Sequence, residues 1–509
     1  MKTLRLDGTS LTVADLDRAA HGNWQLDLAP EGLARMSRTH ALVARAIAGK
    51  TPVYGVTTGL GARATEVLGA DALADFSLQT LRGRAHAIGP LAAPEVVRAG
   101  LIVRLNTMLG GYSAARPEVA RHIATCLNAG LVPVTGSLGS IGAADLVLNA
   151  ATGLALIGEG EMYASNGSNG SIGPSAELMQ AHGITPLKLA PRDGLALANH
   201  SCATAARAAL SVSKAATAFE AVQTSAAMSM EGFRANTGPL DETILSIKPH
   251  PGHLKAASGL RNRLADSALF ETGQARRLQD PLSFRNVAQI HGTAKTALDR
   301  AMDCVQIEIS SASDNPVALA ERKKLVSCGA YFTSEITSVA ETLSRSFVPL
   351  AMAQLARAAK LLNPEFSGLP SFLAMPDSAS NGFAPVMKVA ESLVAEIAHA
   401  AQSIPVWPSV NANGVEDCLT GSPAAVSALD RIADNVFHLT SIELLIACQA
   451  IELRKGSGNC GGFLAGMNNQ VRKISPALRD DRPLAKDIEN LSATLKENRI
   501  AFCPPDASE

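Results

Sequence analysis

The sequence predicts a mainly α protein: a long helical bundle with a smaller N-terminal domain. Three observations lead there. Aromatic residues are only 4% of the 509 residues while alanine is abundant, a bias toward helix over sheet. Residues 195–231 and 424–455 contain neither glycine nor proline. No strand–helix alternation and no repeat of about 20–50 residues breaks the pattern.

The first 120 residues alternate short helical patterns with loops marked by glycine and proline. In the loop 51–61, Gly55, Gly59 and Gly61 permit unusual dihedrals and mobility. Tyr54 at its mouth could be carried over a pocket. In 136–146, Gly136, Gly139 and Gly142 precede an apolar helical stretch. Such a bare backbone can turn its amides toward an anion at a helix N-terminus. A tight packing turn explains the same pattern equally well. A phosphate loop is excluded, because Gly-Lys-Ser/Thr is missing.

Helical periodicity then fills about 293–309, 334–362 (with Pro349 as a kink), 384–403 and 424–455. The last would span about 48 Å as one helix. Leu429, Ile432, Val436, Leu439, Ile442 and Ile446 form its buried stripe. Ser422-Pro423 supplies an N-cap and a first-turn proline, and Gly456 and Gly458 fit its stop. The expected division is 1–195 as the N-terminal domain, 196–480 as the bundle and 481–509 as a tail.

Composition narrows the function. The formal net charge is −1, with 47% apolar and 18% charged residues, so a large core can be buried. That balance argues against nucleic-acid or membrane-surface binding. No run of about 18 apolar residues suggests a membrane span, and the N-terminal residues lack an apolar signal core. Eight scattered cysteines without a Cys-x-x-Cys pair read as free thiols in a reducing cytoplasm.

Four further segments could carry chemistry. Arg285, just past Gln279-Asp280-Pro281, suits bidentate capture of a carboxylate, although a surface arginine is commoner. Asn315-Pro316 forces a turn or extended backbone that leaves the Asn315 amide available. Glu416-Asp417 lies in an apolar context that favours acid–base work. Lys388 is a lone cation at a helix start, the alternative being a solvent-facing lysine. His250 and His253 lack a third ligand and read as structural, so no metal is expected.

Together these segments resemble the aromatic amino acid lyases, histidine ammonia-lyases most closely. The likeness runs in order from Val53-Tyr54-Gly55 through His86, Gly194 to Asn199, His250-Pro251-Gly252, Gln279 to Arg285 and Asp314-Asn315-Pro316 to Glu416-Asp417. It implies the fumarase/aspartase-like helical fold and a homotetramer with sites built from three chains each.

The resemblance also exposes a departure. The family's electrophile, 4-methylideneimidazol-5-one, forms from Ala-Ser-Gly just before Asp-Leu. Here Gly142-Ala143-Ala144 precede Asp145-Leu146. No cofactor is therefore expected. Leu282, Val415, Cys418 and Lys388 also replace the residues usual at their positions.

Ammonia leaves poorly without an electrophile, whereas a quaternary ammonium departs as a neutral amine. The expected reaction is elimination of trimethylamine from ergothioneine, the trimethylated, sulfur-bearing histidine, giving thiourocanate. Tyr54 would take the β-proton and Arg285 the carboxylate, supported by Gln279, Asn199 and Asn315. Glu416, Lys388 and His86 would hold the ring. Phe332 would offer a face to the ammonium. The alternatives are an ammonia-lyase for histidine or a related amino acid, and an inactive member that binds a ligand.

Overall fold

The computed structural model describes residues 2–22, 24–164, 170–376, 379–405, 408–454 and 460–504. It is mainly helical, as the composition predicts. Contacts divide the chain into two units. The first comprises Met1–Ser213, Met302–Ser338 and Ile404–Val426; the second, Lys214–Ala301, Val339–Ser403 and Ser427–Glu509. The expected consecutive stretches 1–195, 196–480 and 481–509 are thus not the units observed. Four of the five boundaries fall inside long helices, which a linear reading keeps whole.

In the first unit, strands Lys2–Leu6 and Trp24–Leu28 pair in parallel, joined through helix Val13–His21. Its centre is the helix Pro94–Leu109, in which every residue from Val97 to Leu109 is buried. A helix with no wet face must satisfy its own charged side chains. Arg98 does so by donating to the carbonyls of Ala19, Leu127 and Trp24. Arg104 pairs with Asp314 and also donates to the carbonyl of Ala196.

Short sheets complete this unit. Leu131–Pro133, Glu161–Ala164 and Ser171–Pro174 form an antiparallel sheet, with Glu161–Ala164 central. Gly136–Leu138, part of the glycine-rich segment, is itself a strand paired with Ile88–Leu91. The pairing is close: a Cβ on Gly136 would lie 2.4 Å from the Ile88 carbonyl oxygen.

The glycine- and proline-free stretch from 195 is not one helix. Asp193–Ala198 ends before Asn199, and a new helix runs Cys202–Phe233. The interruption places Asn199, His200 and Ser201 where their side chains can serve as hydrogen-bonding groups.

Among the described residues, the regular elements of the second unit are all helices. Helix Ser334–Leu362 continues through Pro349 as one element, and Val386–Ala400 follows the predicted periodicity. Ser422–Leu453 forms the predicted long helix. Its expected stop residues, Gly456 and Gly458, lie outside the described residues. Ser422 lies in the first turn, not at the N-cap, and its hydroxyl meets those of Thr333 (2.7 Å) and Thr420 (3.0 Å).

The stripe from Leu429 to Ile446 is buried, but the whole of 439–450 is buried too. By length and composition this helix could cross a membrane, yet 83% of its apolar window is covered by the protein. Within it Glu443 is matched by Arg357 at 2.6 Å and by the hydroxyls of Ser225 and Ser229. A charge in such a place persists only when its lone pairs are filled.

Candidate active site

A cavity of about 490 Å³ lies in the first unit. Five of the sequence-predicted residues line it: Tyr54, Asn199, Asn315, Phe332 and Glu416. They come from five separate places in the chain, so only the fold assembles them.

The Tyr54 loop is held by its own backbone and threonines. Thr57 Oγ1 donates to the Thr51 carbonyl (2.7 Å) and accepts from the Val53 amide (2.8 Å). Gly55 takes φ +61°, and a Cβ there would lie 2.2 Å from Leu195 Cδ2. The glycine is therefore needed for close packing as well as for its dihedral. The Gly61 amide donates to the Tyr54 hydroxyl oxygen at 3.2 Å, which orients the phenol along the cavity wall.

Asn199 and Asn315 are tied together. Asn199 Nδ2 donates to the Asn315 carbonyl at 2.7 Å, and the Cys328 amide donates to Asn315 Oδ1 at 3.0 Å. The side-chain oxygen of Asn315 is thus engaged, contrary to the expectation of a fully available amide.

The glycine-rich segment bears out its packing reading. The Gly142, Ala144 and Asp145 amides donate to Ser140 Oγ, the Tyr331 carbonyl and the His200 carbonyl. Those amides are spent inside the fold and do not offer an anion cradle. Asp145 is fully buried and accepts from Ser140 and from both the hydroxyl and the amide of Thr204. Burial raises its pKa, against the pull of those hydrogen bonds. Beside it the His200 ring is held neutral, its pKa well below normal through burial and the Arg104 charge.

The same backbone tests the fit of the family's electrophile. Ala143 and Ala144 bring no hydroxyl to lose as water, and Ala143 bridges to Phe332. Gly142 sits at φ +82°, where a Cβ would lie 1.8 Å from Thr420 Oγ1. The nearby serine hydroxyl, Ser140, is bound to Asp145 at 2.6 Å. These residues do not fit the group.

Two lining residues escaped the sequence reading. Arg84 lines the cavity, whereas His86, two residues on, is exposed and not among the lining side chains. Burial lowers the Arg84 pKa, opposed by the attraction of Tyr54 and Glu416. Tyr331 is the second; burial raises its pKa, helped by the neighbouring Tyr54 and Glu416. No motif marks either residue. Their signal is adjacency to His86 and Phe332.

The other three candidates belong to the second unit. Arg285 is half-buried in the short helix Leu282–Arg285 and donates to Gln279 Oε1 at 2.7 Å. Lys388 is exposed in the first turn of Val386–Ala400. Among the described residues, no group of three or more His, Cys, Asp or Glu side chains could hold a metal.

Comparison with known proteins identifies relatives over nearly the whole chain. The family described as aromatic amino acid lyase matches residues 11–473. A histidine ammonia-lyase of Stigmatella aurantiaca is 32% identical over 98% of this chain and 97% of that protein. The structure of a Treponema denticola ergothionase, in complex with desmethyl-ergothioneine sulfonic acid, superposes with a TM-score of 0.91. It is 26% identical, with 98% of this chain and 100% of that one covered. A Trypanosoma cruzi histidine ammonia-lyase also gives 0.91 at 26% identity, covering 100% of this chain and 96% of that one.

Proposed function

The chain belongs to the aromatic amino acid lyase family, a family of carbon–nitrogen lyases, and from that premise we propose that it eliminates trimethylamine from ergothioneine to give thiourocanate. The observation that carries this reading is the Gly142-Ala143-Ala144 sequence, whose residues do not fit the self-made electrophile while Tyr54 and Glu416 line the cavity. An ammonium with no N–H and no lone pair gains nothing from an electrophile. Its C–N bond breaks with both electrons leaving on nitrogen.

In this reading Tyr54 removes the β-proton as the Cα–N bond breaks and the Cα–Cβ double bond forms. Glu416 and Lys388 bind the ring and draw charge from the β-carbon. Arg285, oriented by Gln279, binds the carboxylate, and Asn199 and Asn315 hold the substrate backbone. Phe332, 39% exposed on the cavity wall, offers its face to the methylated ammonium. His86 would complete the ring contacts. The homotetramer supplies the residues that one copy's cavity does not. The proposed setting is the cytoplasm, with a small-molecule substrate and neither nucleic acid nor membrane as partner.

Incubation of the purified protein with ergothioneine and, separately, with histidine tests this. Trimethylamine release with a new conjugated absorbance is expected from the first alone. Urocanate from histidine, or no reaction with either, would overturn it.

A further inference from the structure

We propose that Arg84 reads the sulfur of the substrate, its guanidinium donating to the thione sulfur of a 2-thioimidazole while Glu416 accepts a ring N–H of the same ring. This rests on the ergothioneine reading above and assigns the specificity that reading leaves open.

Arg84, Glu416 and Tyr54 line one cavity, and Arg84 feels the attraction of both other groups. Among the described residues the Arg84 guanidinium makes one hydrogen bond, a long one of 3.4 Å to the Thr80 carbonyl, and no ion pair. The cavity wall around it is partly apolar, with Leu60, Leu146 and Leu195. A guanidinium carries five N–H donors and stays charged, so one that is partly removed from water and short of acceptors favours a ligand that brings an acceptor.

A 2-thioimidazole brings one in the right place. Its C2 sulfur carries negative charge, and the flanking ring N–H groups carry the positive end of the same dipole. Arg84 and Glu416 present the complementary pair of charges. An unsubstituted imidazole has only a C–H at C2; its one acceptor is a ring nitrogen, so it offers Arg84 nothing at the C2 position. The substrate carboxylate is on the far side of Cβ from a ring held by Glu416, which leaves the C2 substituent as the acceptor nearest Arg84.

The test compares ergothioneine with N,N,N-trimethylhistidine, its sulfur-free counterpart, on the full-length protein. Arg84→Met should lower kcat/KM for ergothioneine about 10- to 100-fold, the scale of one lost charge-assisted hydrogen bond. It should change the value for trimethylhistidine by less than about threefold, and Arg84→Lys should recover part of the loss. Equal losses for both betaines, or none for either, would overturn the assignment.

Calorimetric binding of both betaines to Tyr54→Phe and to Tyr54→Phe/Arg84→Met supplies a readout without turnover. A preference for the thione that disappears with Arg84→Met supports the assignment even if the native protein releases no trimethylamine, a result that would sink only the proposed reaction. A preference unchanged by Arg84→Met, or no binding of either betaine, would overturn it.

Discussion

Arg104 binds both carboxylate oxygens of Asp314 at 2.8 Å, and neither side chain reaches solvent. Arg192 adds a second guanidinium 3.6 Å from the same carboxylate. Asp314 directly precedes Asn315, so a buried ion pair on the central helix fixes the loop whose carbonyl receives Asn199. Removing one partner strands the other charge, at a cost of about 3–5 kcal/mol. Asp314→Asn should therefore lower the thermal unfolding midpoint by several degrees and raise KM. Arg104→Met combined with Asp314→Leu should restore only part of the stability, because Arg192 still loses its Asp314 partner, and should not restore KM. Thermal scans and steady-state kinetics check both parts, and an unchanged midpoint in Asp314→Asn would show the pair to be dispensable.

Tyr54→Phe keeps the ring but loses the hydroxyl that receives the Gly61 amide. If Tyr54 is the base, kcat should fall by about 10²- to 10⁴-fold with substrate affinity nearly unchanged. Single-turnover assays and calorimetry separate the two quantities. Normal turnover would remove Tyr54 from the role.

Gly142 is a further point of leverage. A side chain there must occupy a left-handed backbone and meet Thr420 Oγ1 and Ser422 Oγ, at 1.8 and 2.7 Å. Gly142→Ala should destabilise by about 1–3 kcal/mol, and the connection between the 136–146 segment and the start of the Ser422 helix should loosen. Hydrogen exchange at 140–146 and 420–425 would report it. Protection equal to that of the native protein would refute the strain argument.

Glu308 gives a pH dependence. Burial, aided by the charge of Glu335, raises its pKa from an ordinary 4.5 to about 7. The folded protein then binds a proton that the unfolded chain has already released. The stabilisation is complete below about pH 4.5 and is lost as pH rises through about 7. Glu308→Gln should flatten that decline in thermal midpoint between pH 5 and 8. A decline as steep as in the native protein would place its origin elsewhere, with Glu231, also raised to about 7 by burial, the next group to examine.

The sequence was most legible where its signals are local. Periodicity located Ser334–Leu362, Val386–Ala400 and Ser422–Leu453 to within a few residues, because helical spacing is written directly into the order of apolar side chains. It was less legible at 199–201, where no glycine or proline announces the break between two helices. There the Asn199 side chain bonds across to Asn315, an interaction between residues far apart in the chain.

The sequence by itself determined the helical class, the family and the residues Gly142-Ala143-Ala144 ahead of Asp145. Each is carried by residue identity or short-range spacing. Only the tertiary structure decided that Arg84 faces the cavity while His86 lies exposed, and that the glycine-rich amides are spent on Tyr331 and His200. Those outcomes depend on partners tens to hundreds of residues away. Just beyond a helix end, where no periodicity fixes side-chain direction, long-range packing sets which side chain turns inward.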